Sequence, residues 1–375
     1  MSADASPVWE AWSAARPTSQ VLHLDSAASG RSSSATLRAV ADHARLEAET
    51  GCYVAQERAG GLLDTLRTDI AGLLGTDADG VAFVEGAETA LALLLDAWPF
   101  PEGARVGVAA GEWGPNLESF AHRGLTVLPL EVDADGVLDL PALQRRLASD
   151  PPTLVHLVHV AAHRALVQPV AAAATVCRAA GVPVWVDAAQ ALGHVDTTSG
   201  TDAVYATSRK WLTGPRGVGM IAVAPPYRDR LRVRRRARHP GLPTVGYLES
   251  AEAHVAGRVG LAVAVREYLA LGPHDVAVRL DQVGDLTRQV LVGTEGWEIV
   301  GPEVASGATT GLRATNGQDV TGVRSRLLTE HGILTTACLP WRAPREMGEP
   351  LLRVSPHVDC TVADIERLRA ALESR

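Results

Sequence analysis

Trp185-Val-Asp187-Ala-Ala-Gln190, then Ala203-Val-Tyr-Ala206, then Thr207-Ser-Arg-Lys210-Trp211: these three stretches decide the fold. Two short apolar runs each end on polar residues, and the Gly/Pro-rich turn Gly214-Pro-Arg-Gly217 leads into a third run, Val218–Ala224. Apolar runs of about four to eight residues bounded by turn residues read as buried strands. The pattern recurs upstream at Val81–Glu85, Arg105–Ala109, Thr126–Pro129 and Leu154–Val160. Segments of helical length, such as Glu88–Ala97, Leu140–Ala148 and Pro169–Ala180, lie between them. Strands alternating with helices predict an α/β fold with a mainly parallel sheet of seven strands, covered on both faces. Ligands of such sheets sit beyond the carboxyl ends of the strands, which is where Asp187 and Lys210 fall.

The texture changes after the long helical stretches Ser250–Leu271 and Asp275–Val292. Trp297–Val300, Thr309–Ala314, Ile333–Ala337 and Leu351–Val354 read as strands, and Asp319–His331 and Val362–Glu373 as helices. Thr361, with Asp364 three residues on, has the pattern of a capping box at the last helix. The expected organisation is a large ligand-binding domain over residues 20–270 and a small α/β domain made of residues 1–19 and 271–375.

Composition narrows the function. The 375 residues are 46% hydrophobic and 21% charged, as in a globular protein, and the net charge of −8 argues against a general nucleic-acid binder. The basic run Arg228–Arg238 has no interleaved aromatics and reads as a solvated or subunit-facing surface. Cys52, Cys177, Cys338 and Cys360 form no CxxC pair and no metal-spaced cluster, so neither a disulfide framework nor a metal site is expected. Met1–Gln20 lacks a secretory pattern, and no apolar run approaches the ~20 residues that span a bilayer. A cytoplasmic location without a membrane partner is expected.

Of the 35 basic residues, one alone is a lysine, Lys210. A guanidinium stays protonated, whereas an ε-amine can lose its proton in a suitable pocket and form a Schiff base. Asp187 by itself would read as a helix N-cap. A carboxylate and a lysine 23 positions apart, both at the ends of neighbouring strands, suit pyridoxal phosphate, with Lys210 as anchor and Asp187 pairing with the pyridine nitrogen.

From about Leu22 to His357 the chain resembles the class V aminotransferase family of fold-type I pyridoxal phosphate enzymes, which includes cysteine desulfurases, selenocysteine lyases and kynureninase. Leu24-Asp25-Ser-Ala-Ala28 is similar to the family's N-terminal segment beside the substrate, implying Ala28 as a substrate neighbour. Glu85-Gly86-Ala87-Glu88-Thr89 resembles the turn whose N–H groups hold the cofactor phosphate, which implies Gly86, Ala87 and Glu88. In the same way the resemblance implies Trp113 stacked on the pyridine, Gln190 at the phenolic oxygen, Thr207 and Arg209 at the phosphate, and Arg353 on the substrate carboxylate.

Three departures matter. In His159-Val-Ala-Ala162-His163-Arg164 an alanine replaces the usual Asn, which passes that cofactor contact to His163 or Gln190. Ala251-Glu252-Ala253-His254 puts a carboxylate where the family reaches the partner's phosphate. Cys338 arrives about three positions before the place of a desulfurase nucleophile and reads as a small buried apolar residue; the alternative is a desulfurase or selenocysteine lyase that uses it. The closer resemblance is to the carbon–sulfur lyase branch that cleaves a sulfoxide amino acid in ergothioneine biosynthesis. It implies a sulfur amino acid as small-molecule substrate, a homodimer, and Tyr53, Trp113, Trp341 and Glu252 as contacts for a trimethylammonium and an imidazole.

Overall fold

In the computed structural model, which describes residues 7–233, 241–302 and 305–374, the apolar runs pair as the alternation predicts. After a short N-terminal strand, β1 (Leu22–His23), come β2 (Val81–Val84), β3 (Arg105–Val108), β4 (Thr126–Pro129), β5 (Leu154–Val158), β6 (Val184–Asp187), β7 (Ala203–Thr207) and β8 (Gly219–Val223). The last seven form one sheet in the order β2-β8-β7-β6-β5-β3-β4. Only β8 runs against its neighbours, β2 and β7, so the sheet is mainly parallel.

Alternate side chains of each strand feed opposite faces, because successive Cβ atoms point to opposite sides. In β6, Val184 and Val186 enter a core shared with helices Cys52–Leu74, Val170–Ala179 and Val255–Leu271. Trp185 enters the other core, under helix Ala87–Ala97, where its ring meets Trp98 edge-on at 5.5 Å. Both faces of β6 are closed, and full burial of side chains this large stabilises by roughly 1.5–3 kcal/mol each. The carboxyl end of β6 is thereby fixed for Asp187.

The chain beyond residue 290 builds a second, antiparallel sheet. It contains β9 (Trp297–Val300), β10 (Thr310–Ala314), β12 (Thr336–Cys338) and β13 (Leu351–Val354) in the order β12-β13-β10-β9; the intervening β11 (Ile333–Leu334) pairs in parallel with β1. Helices Val320–Thr329 and Val362–Glu373 contribute to its core. The expected capping box is formed: Thr361 Oγ1 accepts from Asp364 N, and Asp364 Oδ2 accepts from Thr361 N.

Two expectations need revision. The single strand expected over Ile333–Ala337 divides at Thr335, since its two halves have different partners, β1 and β13. The helix expected from Ser250 begins at Val255, because Glu249 is drawn into ion pairs with Arg67 and Arg258 and the chain turns before the helix can start. Helices Ser34–Thr50 and Cys52–Leu74, for which no element was expected, are divided at Gly51, whose φ of 88° favours glycine. Of the basic run, Arg234, Arg235, Arg236 and Arg238 lie outside the described residues.

Candidate active site

Lys210 follows β7 by three residues, on a turn that the N-terminal segment grips. Gly30 N donates to Arg209 O at 2.8 Å, and Ser32 Oγ donates to Thr213 O at 2.8 Å. Thr213 takes φ 54°, a costly conformation for a β-branched residue, and Arg16 Nη2 donates to its hydroxyl at 2.9 Å. Space for a Cβ is absent at Gly30, where it would strike Lys210 O. The turn is therefore held from outside while the amine faces inward.

The amine faces a cavity of about 400 Å³, within the usual size range of cofactor sites. Its lining includes Asp187, Gln190, Thr207, Arg209 and Lys210 from the ends of β6 and β7, Gly86, Ala87, Glu88 and Thr89 from the turn after β2, and Trp113. Residues from four separated stretches of sequence thus meet as expected. Burial lowers the Lys210 pKa to about 7; Asp187 opposes this and the guanidinium groups of Arg209, Arg353 and Arg342 reinforce it. An amine tuned in this way is partly neutral near neutral pH, as a nucleophile or base needs to be.

Asp187 is 6% exposed and well supported. Its Oδ1 accepts from Ala189 N at 2.9 Å and its Oδ2 from Asn116 Nδ2 at 3.0 Å. Gln190 is clamped between Ala27 O, to which Nε2 donates at 2.8 Å, and Trp211 Nε1, from which Oε1 accepts at 3.0 Å. Across the cavity, helix Ala87–Ala97 begins at Gly86 with no side chain capping its first N–H groups. β8 approaches this turn so closely that a Cβ on Gly219 would lie 2.6 Å from Gly86 Cα. Uncapped N–H groups at a helix start, with Thr207, Arg209 and Arg216 on the same wall, make an anion cradle. Glu85 and Glu88 also line it, and because a carboxylate repels an anion, Glu88 can serve one only through its backbone.

Other expected residues lie elsewhere. His163 is turned away: its Nε2 is 3.1 Å from Glu346 Oε1, and it lines a separate cavity with Arg164 and Glu346, so it does not reach the cavity that Lys210 faces. Tyr53 is 74% exposed on helix Cys52–Leu74, outside the cavity. Glu252 lies in a turn before helix Val255–Leu271 and is also absent from the lining. Arg353 stands behind the wall, 1% exposed, with Nη1 donating to Ala162 O at 2.8 Å and Nη2 to Asp25 Oδ1 at 3.1 Å. Asp25 also accepts from Thr336 Oγ1 at 2.7 Å, which ties the segment containing Ala28 to β12 and β13. Trp341 meets Trp113 edge-on at 5.4 Å. Cys338 is fully buried, with Sγ 3.9 Å from Ala162 O.

Asn116 and Arg216 were not foreseen. Asn116 lies four residues after Glu112, and that spacing on a helix start was the available signal. Arg216 sits in the Gly/Pro turn already singled out.

A buried lysine and carboxylate at adjacent strand ends, opposite an anion cradle, define a pyridoxal phosphate enzyme of fold-type I. The chain belongs to the class V aminotransferase family, whose profile matches residues 22–368. It is 46% identical over 363 residues, 96% of this chain and 92% of the other, to the probable hercynylcysteine sulfoxide lyase of Mycobacterium tuberculosis. It is also 29% identical to the isopenicillin N epimerase of Amycolatopsis lactamdurans, over 83% of this chain and 84% of that one. The fold matches the apo cysteine desulfurase of Thermococcus onnurineus with a TM-score of 0.84 at 19% identity, covering 94% of each chain. In class the chain is a pyridoxal-phosphate-dependent carbon–sulfur lyase.

Proposed function

We propose that the chain cleaves the Cβ–S bond of hercynylcysteine S-oxide by β-elimination, yielding pyruvate, ammonia and the sulfenate of ergothioneine. The observation that carries this reading is the fully buried Cys338, read beside the 46% identity to a probable lyase of that name. A thiol sealed in the core cannot take up a substrate sulfur, so the sulfur leaves with its organic part.

In this reading the N–H groups of Gly86, Ala87 and Glu88, with Thr207 and Arg209, would hold the phosphate of pyridoxal phosphate. Trp113 would cover one face of its ring, Gln190 would meet its phenolic oxygen, and Asp187 would pair with its ring nitrogen. The bound cofactor supplies a sink for the electron pair left at Cα. Arg353, held behind the cavity wall by Ala162 O and Asp25 Oδ1, would take the substrate carboxylate near Ala28 by exchanging one of those bonds. The Lys210 amine takes the Cα proton, for which a pKa of about 7 suits it. The Cα–Cβ double bond forms as the Cβ–S pair departs on sulfur. Trp341, packed on Trp113, extends an aromatic surface suited to a trimethylammonium.

Residues 20–270 would serve as the cofactor-binding domain, and 1–19 with 271–375 as the small domain. No helix among the described residues is long and apolar enough to cross a membrane. The free cysteines, among them exposed Cys52, support a reducing cytoplasmic setting.

Pyruvate release from hercynylcysteine S-oxide tests the reaction. Cys338→Ala is expected to keep turnover within about twofold, the range of a tolerated small core change. Alanine from cysteine, abolished by Cys338→Ala, would establish a desulfurase instead.

A further inference from the structure

Behind Asp187 lies a chain of buried polar groups to which the proposed reaction gives no role. Asn116 Nδ2, besides its bond to Asp187, donates to Glu112 Oε1 at 2.9 Å. The other Glu112 oxygen is 2.8 Å from His156 Nδ1 on β5, and His156 Nε2 is 2.9 Å from the Tyr205 hydroxyl on β7. Tyr205 is the register partner of Asp187, so the chain closes back toward its start. Glu112, Asn116, His156 and Tyr205 are each at most 2% exposed.

The charges in this ring need an explanation. Two carboxylates, Asp187 at the cavity wall and Glu112 buried behind it, share one amide nitrogen. Two negative charges so placed disfavour each other unless a proton donor screens one of them. Tyr205 keeps its proton, since burial and the two carboxylates raise its pKa well above the ordinary value. The imidazole is the one ionisable donor bonded to Glu112 among the described residues.

We propose that His156, oriented by Tyr205, directs its Nδ1 proton onto Glu112, screening that charge so that Asp187 alone presents a carboxylate to the cofactor's ring nitrogen. Glu112, His156 and Tyr205 are then positioning residues, acting on the cofactor through Asn116 and Asp187. The inference rests on Asp187 as the ring-nitrogen partner, but not on the identity of the substrate.

The test uses holoenzyme reconstituted with pyridoxal phosphate labelled with nitrogen-15 in the ring, in His156→Gln, Glu112→Gln, the double variant and Tyr205→Phe. His156→Gln is expected to move the ring-nitrogen resonance and weaken cofactor retention by about tenfold, the size of a typical charge-coupling effect. Removing the charge that needs screening should rescue the defect, so the double variant is expected within about twofold of wild type. Tyr205→Phe keeps the buried ring and is expected to move the resonance in the same direction by less.

An unmoved resonance in His156→Gln overturns the proposal, as does a double variant no better than the single. If His156→Gln does not fold, an unmoved resonance in Tyr205→Phe overturns it. Asp187→Asn separates the two readings: if it leaves the resonance unchanged, the assignment of Asp187 fails first.

Discussion

Lys210 is under two opposing influences, burial that drives its proton off and Asp187 that holds it on, and burial dominates. Lys210→Arg should therefore lower pyruvate formation by more than about a thousandfold, because a guanidinium neither captures an aldehyde nor takes a proton at working pH. The same shift has a consequence for the cofactor-free protein. The folded-state pKa of about 7 lies below the ordinary 10.5, so between these values the unfolded chain binds more protons and stability rises with pH. The melting temperature of the apoenzyme should climb between pH 7 and pH 9 relative to Lys210→Met, and a parallel course of the two would refute the shift. Lys210 and Asp187 were legible because Asp187 ends one apolar run and Lys210 comes shortly after the next. His163 misled because it adjoins Ala162, yet the chain bends there and of the two only Ala162 lines the cavity. Asn116 escaped because its partner Asp187 is 71 residues away, a distance that no local pattern crosses.

Elements were legible where periodicity and a cap agreed. Val362–Glu373 appeared with its bounds intact because Thr361 and Asp364 fix its start, and Thr361→Ala should cost about 1 kcal/mol. Thermal unfolding of the holoenzyme should show this as a drop of about 2 °C; no drop would mean that the reciprocal cap is energetically idle. Apolar content alone was less informative. Ile333–Ala337 reads as one strand, but strand partners are a property of the tertiary fold, and here they divide between β1 and β13. The break at Thr335 places Thr336 where its hydroxyl reaches Asp25, so the segment that the sequence blurred is one that supports the site.

At the scale of the molecule, the alternation of strands and helices was enough to predict the seven-stranded sheet and its ligand-binding edge. Oligomeric state is not written in such a pattern. Tyr53, Val54 and Leu242 are 74%, 41% and 46% exposed, and Leu242 lines a surface cavity beside Gln56 of the helix that carries Tyr53 and Val54. We propose that this apolar surface is covered in a two-fold dimer. Sedimentation should give twice the chain mass of 39.5 kDa, and Leu242→Glu should shift it toward the monomer; a monomeric wild type would refute the dimer. The single lysine also turns the site into its own meter. Every other basic side chain bar histidine is a guanidinium, so besides the α-amino group of Met1 the protein offers an amine-selective reagent one target, and that target lies in the cofactor cavity. Intact-mass spectrometry after brief acylation would then count open sites directly, each cofactor-loaded chain escaping the added mass that an empty one acquires.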